Sequence, residues 1–206
     1  MREPTTLISH QNTQLNEHSN MNTVTAQDII SRKEYLTQLK HYKNTLQYTL
    51  ATTRFTNATW NENSKFREKN PNAKCAYLLP IPISRNIPMD SAVFVLEMNN
   101  DKNQIMGIGM IKNHAIYGKY EIYENRNYNR FSYIGKWRID VSEMNSEERE
   151  ILKLFEAMCF KGANHSKRGQ GITAFPLKLM YKCSPHVDLT NYIKRMFKKR
   201  MDQKNI

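Results

Sequence analysis

Between Ser91 and Asp140 the chain alternates short apolar runs with turn residues, a pattern that only a sheet can use. Val93-Phe94-Val95-Leu96 leads into the polar turn Asn99 to Asn103, and Gln104 to Ile111 then re-enters. This predicts a hairpin. Gly107 and Gly109 alternate with Ile108 and Met110 in its second arm, which leaves room for something to approach the backbone closely. Tyr120-Glu121-Ile122-Tyr123 alternates like a half-exposed strand. Asn125 to Arg130 is a polar loop holding Tyr128 between two arginines, and Phe131 to Ile139 reads as one further strand.

The flanks read differently. Residues 1–24 are polar, rich in Thr, Asn, Gln and His, too poor in aliphatic residues to offset their ordering entropy, and are expected to be a mobile tail. Residues 25–70 read as a helical extension: Thr25 and Asp28 suit its start, and Ile29, Leu36, Leu39, Tyr42, Leu46 and Leu50 recur at helical spacing. Asn70-Pro71 ends it. Lys74 to Pro88 carries three prolines, which forbid a helix or a central strand and leave extended chain or an edge strand. Asn145 is the expected N-cap of a second long helix with Glu148 as its box partner, and Gly162 stops that helix. A short strand, Ile172 to Phe175, and a basic C-terminal helix from about Asp188 complete the chain. Residues 74–187 thus form the main domain and 188–206 a terminal helix. The fold class is α+β, a small curved mixed sheet or open barrel packed by helices.

Net charge bears on partners. The chain carries 31 Lys and Arg against 19 Asp and Glu, a net +12. From Lys161 to Ile206 eleven basic residues face only Asp188 and Asp202, so most of the excess sits in that last stretch. A localised excess of this kind suits a polyanion, nucleic acid ahead of a membrane surface. Three scattered cysteines make no disulfide framework. The chain shows no leader pattern and no run of about 18 apolar residues, so an intracellular, non-secreted protein without a membrane partner is expected.

The glycine-rich loop Gly162 to Gly171 is the foremost functional candidate. Its glycines free N–H groups to face an anion, and Lys167 and Arg168 add charge. Lys161, Gly169 and Gly171 belong to the same candidate surface, and Lys194, Arg195, Lys198 and Lys199 of the terminal helix supply a second one. The loop lacks the spacing of a nucleotide-hydrolysing P-loop. Tyr77, Tyr117, Tyr128, Tyr133 and Trp137 border the inferred sheet, where bases can stack on aromatic faces. A zinc set can be drawn from Cys159, His165, Cys183 and His186, although five, then seventeen, then two intervening residues match no recognised pattern. No catalytic motif stands out; His114, His165, Glu97 and Cys159 are the available acids, bases and nucleophiles. Neither a metal nor a cofactor is expected.

Four stretches in order resemble the YTH family of RNA readers, within the PUA-like superfamily that also includes EVE and ASCH domains. They are Lys74-Cys-Ala-Tyr-Leu-Leu-Pro80, Val93 to Asn99 with Gly107-Ile-Gly-Met110, Trp137 to Met144, and Lys167-Arg-Gly-Gln-Gly-Ile172. The resemblance implies an aromatic pocket for N6-methyladenosine, with Tyr77 in the first cage position, Tyr128 near the second, and Trp137 on a strand outside the cage. Neither cage position is Trp here, and Gly169 and Gly171 replace acidic residues of the family loop. Parts of the chain also resemble uncharacterised proteins of large DNA viruses, which would place it in a host cytoplasm or nucleus.

The leading expectation is therefore a non-catalytic nucleic-acid binder, RNA ahead of DNA. Tyr77, Tyr128 and Trp137 would form its base pocket and the basic residues would hold phosphates. One rival is an interaction protein of a viral assembly or transcription complex that docks through a helix over residues 25–56. The other is a nuclease or base-modifying enzyme using His114 or His165.

Overall fold

The computed structural model describes residues 26–162 and 165–204. The expected tail of residues 1–24 lies outside them. Among the described residues five α-helices, α1 (Ala26–Thr45), α2 (Asn57–Lys69), α3 (Ser146–Phe160), α4 (Leu177–Cys183) and α5 (Leu189–Lys204), accompany eight strands. The strands are β1 (Thr49–Phe55), β2 (Cys75–Leu79), β3 (Ala92–Asn99), β4 (Gln104–Lys112), β5 (Ile116–Tyr117), β6 (Phe131–Gly135), β7 (Trp137–Asp140) and β8 (Thr173–Ala174). They form a five-stranded sheet in the order β7-β4-β3-β1-β8 and a three-stranded sheet β2-β6-β5. Only β1 and β3 run parallel; the other pairs are antiparallel. The class is α+β with mixed sheets, and the sheets do not close into a barrel.

The long helix expected over 25–70 is interrupted. Thr49, Thr52 and Thr53 favour extended backbone, and Leu46 and Leu50, spaced by four, fit either a helix or a helix followed by a strand. The chain leaves the helix after Thr45, and Thr49 to Phe55 become a strand beside β3 in the middle of the large sheet. Leu50, expected on the helical stripe, is a buried strand residue. Helix α2 then starts afresh at the capping box Thr56–Thr59. By internal contacts the chain divides into units Met1–Thr37 and Gln38–Ile206. In the first, Leu36 is 49% exposed. In the second, Leu39 is buried and Tyr42 packs at 5.4 Å against Tyr181.

Other expectations fare variously. The β3–β4 hairpin forms, and β2 is an edge strand paired only with β6. Tyr120 to Tyr123 makes no strand: Asn129 binds the backbone of Ile122 and Tyr123 and anchors a loop. Phe131 to Ile139 is not one strand but two in different sheets, divided at Lys136. Gly135 permits the crossing, since a Cβ there would lie 2.2 Å from the Met110 carbonyl. Asn145 and Glu148 form the expected capping box. Helix α4 was not expected.

Strand β3 sorts the core. Phe94, Leu96 and Met98 join a cluster with residues of α3, α4 and α5, and Val93 and Val95 join one with β2 and β6. Glu97 falls on the second face at 0% exposure. Opposite it β4 bulges, because Leu96 pairs with Ile108 but Met98 with Ile105, so Met106 and Gly107 together face Glu97. Arg138 fills the space. Its Nε and Nη2 each lie 2.8 Å from Glu97 Oε2, Nη1 lies 2.7 Å from Asp140, and Nη2 donates to the Met106 carbonyl at 3.1 Å. Tyr77 donates to Glu97 Oε1 at 2.8 Å. The close approach anticipated at the two glycines is thus made from within. A Cβ at Gly109 would sit 1.9 Å from the Tyr77 hydroxyl, and one at Gly107 would sit 2.6 Å from Arg138 Nη2.

Two ion pairs generate testable expectations. Arg138→Met leaves Glu97 buried without its charge partner and is expected to cost about 3–5 kcal/mol in urea unfolding, whereas adding Glu97→Leu recovers part of that loss. At the C-terminal helix, Arg200 donates to both carboxylate oxygens of Glu148 at 2.8 Å, and these bonds hold the Glu148 carboxyl below the usual range. Protonating it opposes folding, so its contribution is full above the ordinary carboxylate pKa and lost as pH falls through the lowered value. Glu148→Gln should therefore flatten the acid limb of a thermal-stability profile below about pH 5.

Candidate nucleic-acid interface

The glycine-rich loop follows α3, whose last turn ends at Lys161 and Gly162. Ser166 N–H donates to the Cys159 carbonyl at 2.7 Å, which ties the loop back to that helix. Arg54 at the end of β1 holds it from the other side. Its Nε donates to the Ser166 carbonyl at 2.6 Å, Nη1 to the Gly171 carbonyl at 3.5 Å, and Nη2 to Thr173 Oγ1 at 3.0 Å. Asn100 in the β3–β4 turn donates to the Lys167 carbonyl at 3.0 Å. Burial lowers the Arg54 pKa, as expected for a guanidinium enclosed by neutral oxygens.

These bonds draw the loop carbonyls inward. Gly169 at φ +133° and Gly171 at φ +68° adopt backbone conformations that L side chains rarely take, and a Cβ on Gly169 would crowd the Arg54 guanidinium at 3.1 Å. Among the described residues, none accepts a hydrogen bond from the N–H groups of Lys167 through Gly171. The loop borders a cleft of about 210 Å³ that Tyr128, Tyr123, Thr56, Thr59 and Arg54 also line, and among the described residues no acidic side chain lines it. Tyr128 sits on a single 3₁₀ turn capped by Asn125, edge-on to the buried Tyr123 at 6.3 Å.

Tyr77 is not part of this cleft. It is 1% exposed, and its hydroxyl is bound to Glu97, so its ring offers no face for a base. The apolar residues around it on β2, all buried, gave the sequence no way to distinguish a pocket wall from core. Tyr133 is likewise core, with its hydroxyl accepting from Ile83 N–H at 3.0 Å. Tyr117 is 73% exposed and edge-on to Phe131.

Trp137 occupies a different place. It is half-buried at the start of β7 and lines a cleft of about 510 Å³ with Lys74, Lys136, Lys199 and Phe197. Lys74 and Lys136 were not singled out in the sequence; only the fold brings them beside Lys199. Among the described residues these three lysines make no ion pair. Arg138 and Arg200 also line the cleft, but both are engaged by carboxylates. On α5, Lys198 and Arg195 are exposed, with Arg195 over the Tyr192 ring, while Lys194 reaches Gln47 at 3.3 Å and lies over Tyr48.

The zinc set does not assemble. Among the described residues no three His, Cys, Asp or Glu side chains converge on a common point. Cys159 is core, and burial pushes its thiol up to about 12. Cys183 lies 4.0 Å from the Met158 sulfur, and His186 is exposed on a turn. Of the catalytic candidates, Glu97 has both oxygens engaged and His114 pairs with Asp90 at 2.9 Å on the surface. Among the described residues no helix is long and apolar enough to cross a membrane.

The Arg54 contacts carry a testable consequence. Arg54→Met removes the clamp and should speed hydrogen exchange of the loop's Ser166 amide, which donates to the Cys159 carbonyl, at least tenfold, with exchange in α3 unchanged. Unchanged loop exchange would contradict the assignment. Comparisons with protein-family models, with curated proteins and with solved structures found no match to the chain.

Proposed function

We propose that the protein is a non-catalytic binder of single-stranded nucleic acid, RNA ahead of DNA. One observation carries this reading: Arg54 and Asn100 bind the carbonyls of Ser166, Lys167 and Gly171, none of the described residues accepts from the N–H groups of Lys167 through Gly171, and the end of this basic loop, Gly169 to Gly171, borders a cleft that Tyr128 also lines. Oriented N–H groups attract phosphate oxygens, and an aromatic ring beside them accepts a base. Lys161 and the exposed lysines and arginine of α5 extend the positive surface.

A PUA-like relationship remains part of the proposal. It is supported by the hairpin β3–β4, the Trp-opened strand β7 leading into α3, and the basic loop after α3, which occur in the order the resemblance implies. Recognition of a methylated base draws no support from Tyr77, whose ring is enclosed.

Phosphate contact is read by salt. Binding of a fluorescent single-stranded RNA should weaken on the order of 100-fold between about 50 and about 200 mM salt, and Lys167→Glu with Arg168→Glu should reduce that slope. Salt-independent binding, or no binding to RNA or DNA pools, would overturn the reading.

A further inference from the structure

The clearest unassigned feature is a cavity of about 660 Å³ on the far side of the Lys136 crossing, lined by Ala92, Met110, Ile111, Ile116, Ile134 and Trp137. These side chains make most of its wall hydrocarbon and ring; His114, Asp90, Lys112 and Lys136 also line it, and His114 is paired with Asp90. It adjoins the lysine cleft, because Lys136 and Trp137 line both. The two spaces therefore differ sharply in chemistry across one shared pair of residues. In the first, six apolar side chains make up most of the wall and Asp90 lies among the few charged groups, so an aromatic base suits it better than a phosphate. The second presents Lys74, Lys136 and Lys199. Its carboxylates, Glu148 and Glu143, already accept hydrogen bonds, from Arg200 and from the Asp140 N–H respectively.

We infer that this pair of spaces takes one unpaired nucleotide, with its base in the apolar cavity against Trp137 and its phosphate on Lys136, Lys74 and Lys199. The inference rests on the nucleic-acid-binding reading and adds a second contact region to the loop cleft. An unpaired base has an apolar face for the ring and cavity walls, whereas a base inside a duplex is stacked on both sides. The geometry therefore selects single strands, bulges or ends over continuous duplex.

The chain has only two tryptophans, which makes the test direct. Trp60 has the guanidinium groups of Arg67 and Arg138 at 5.1 and 5.5 Å from its ring and lines neither space, so Trp137, which lines both, is the reporter. Intrinsic fluorescence of the full chain is titrated with a single-stranded RNA and with the same sequence as a duplex. The single strand is expected to quench emission and the duplex to leave it nearly unchanged. Trp60→Phe should keep the quench and Trp137→Phe should lose it, while Trp137→Ala weakens single-strand binding about tenfold without altering its salt slope. Lys136→Glu, by contrast, should reduce that slope. Salt-dependent RNA binding without quenching, with Trp137→Ala at full affinity, would overturn the cavity inference and leave the loop reading standing. Absence of any RNA binding would overturn both.

Discussion

A guanidinium and a carboxylate buried between two sheets must be mutually satisfied, and much of the fold is arranged around that requirement. Burial by itself lowers the pKa of Arg138, but Glu97 outweighs it and holds the guanidinium charged. Glu97 can lie at the bottom of the sandwich because Tyr77 and Arg138 together engage both its oxygens. Arg138 reaches it because β4 has glycine at 107 and an extra residue opposite Glu97, with the Met106 carbonyl accepting another guanidinium N–H, while Gly109 makes room for the Tyr77 hydroxyl. Trp60 and Asp140 complete the enclosure. Removing one partner leaves an uncompensated charge, so the group acts as a register lock between β3, β4 and β7.

That lock fixes where the outer surfaces fall. Alternation along β7 turns Trp137 to the face opposite Arg138, and the Gly135 crossing brings Lys136 to the junction of the two sheets. The other end of the large sheet is organised by a second arginine, Arg54. It leaves β1 to grip three acceptors across the 166–173 segment and so shapes the basic loop. One guanidinium thus orders the sheet interior and the other a surface loop. The recognition surfaces proposed here are the outward sides of both.

How much of this was legible depended on whether the signal was local. Capping at Asn145 and Glu148, the Asn99–Asn103 turn and the stop at Gly162 are written in adjacent residues, and each formed as expected. The break at Thr45 was not, because Leu46 and Leu50 satisfy a helical period while the threonines between Thr49 and Thr53 favour a strand, and only pairing with β3 decides between them. Tyr77 misled for a related reason. An aromatic on an apolar strand looks the same whether it lines a pocket or fills a core, and its partner Glu97 lies 20 residues away. The loop's charge and glycines were readable; the Arg54 clamp that orients them, 112 residues from Ser166, was not. Lys74 and Lys136 gain meaning only beside Lys199 on α5.

The central claim is that single-stranded nucleic acid engages the outward sides of the two arginine-ordered regions. Hydrogen exchange followed by mass spectrometry, with and without a single-stranded RNA, locates the contact without substituting any residue. The account predicts slowed exchange at residues 166–172 and 134–138, with the helical part of residues 26–37 unaffected. Protection confined to residues 26–37, or no protection at either predicted segment under conditions where RNA is bound, would contradict it.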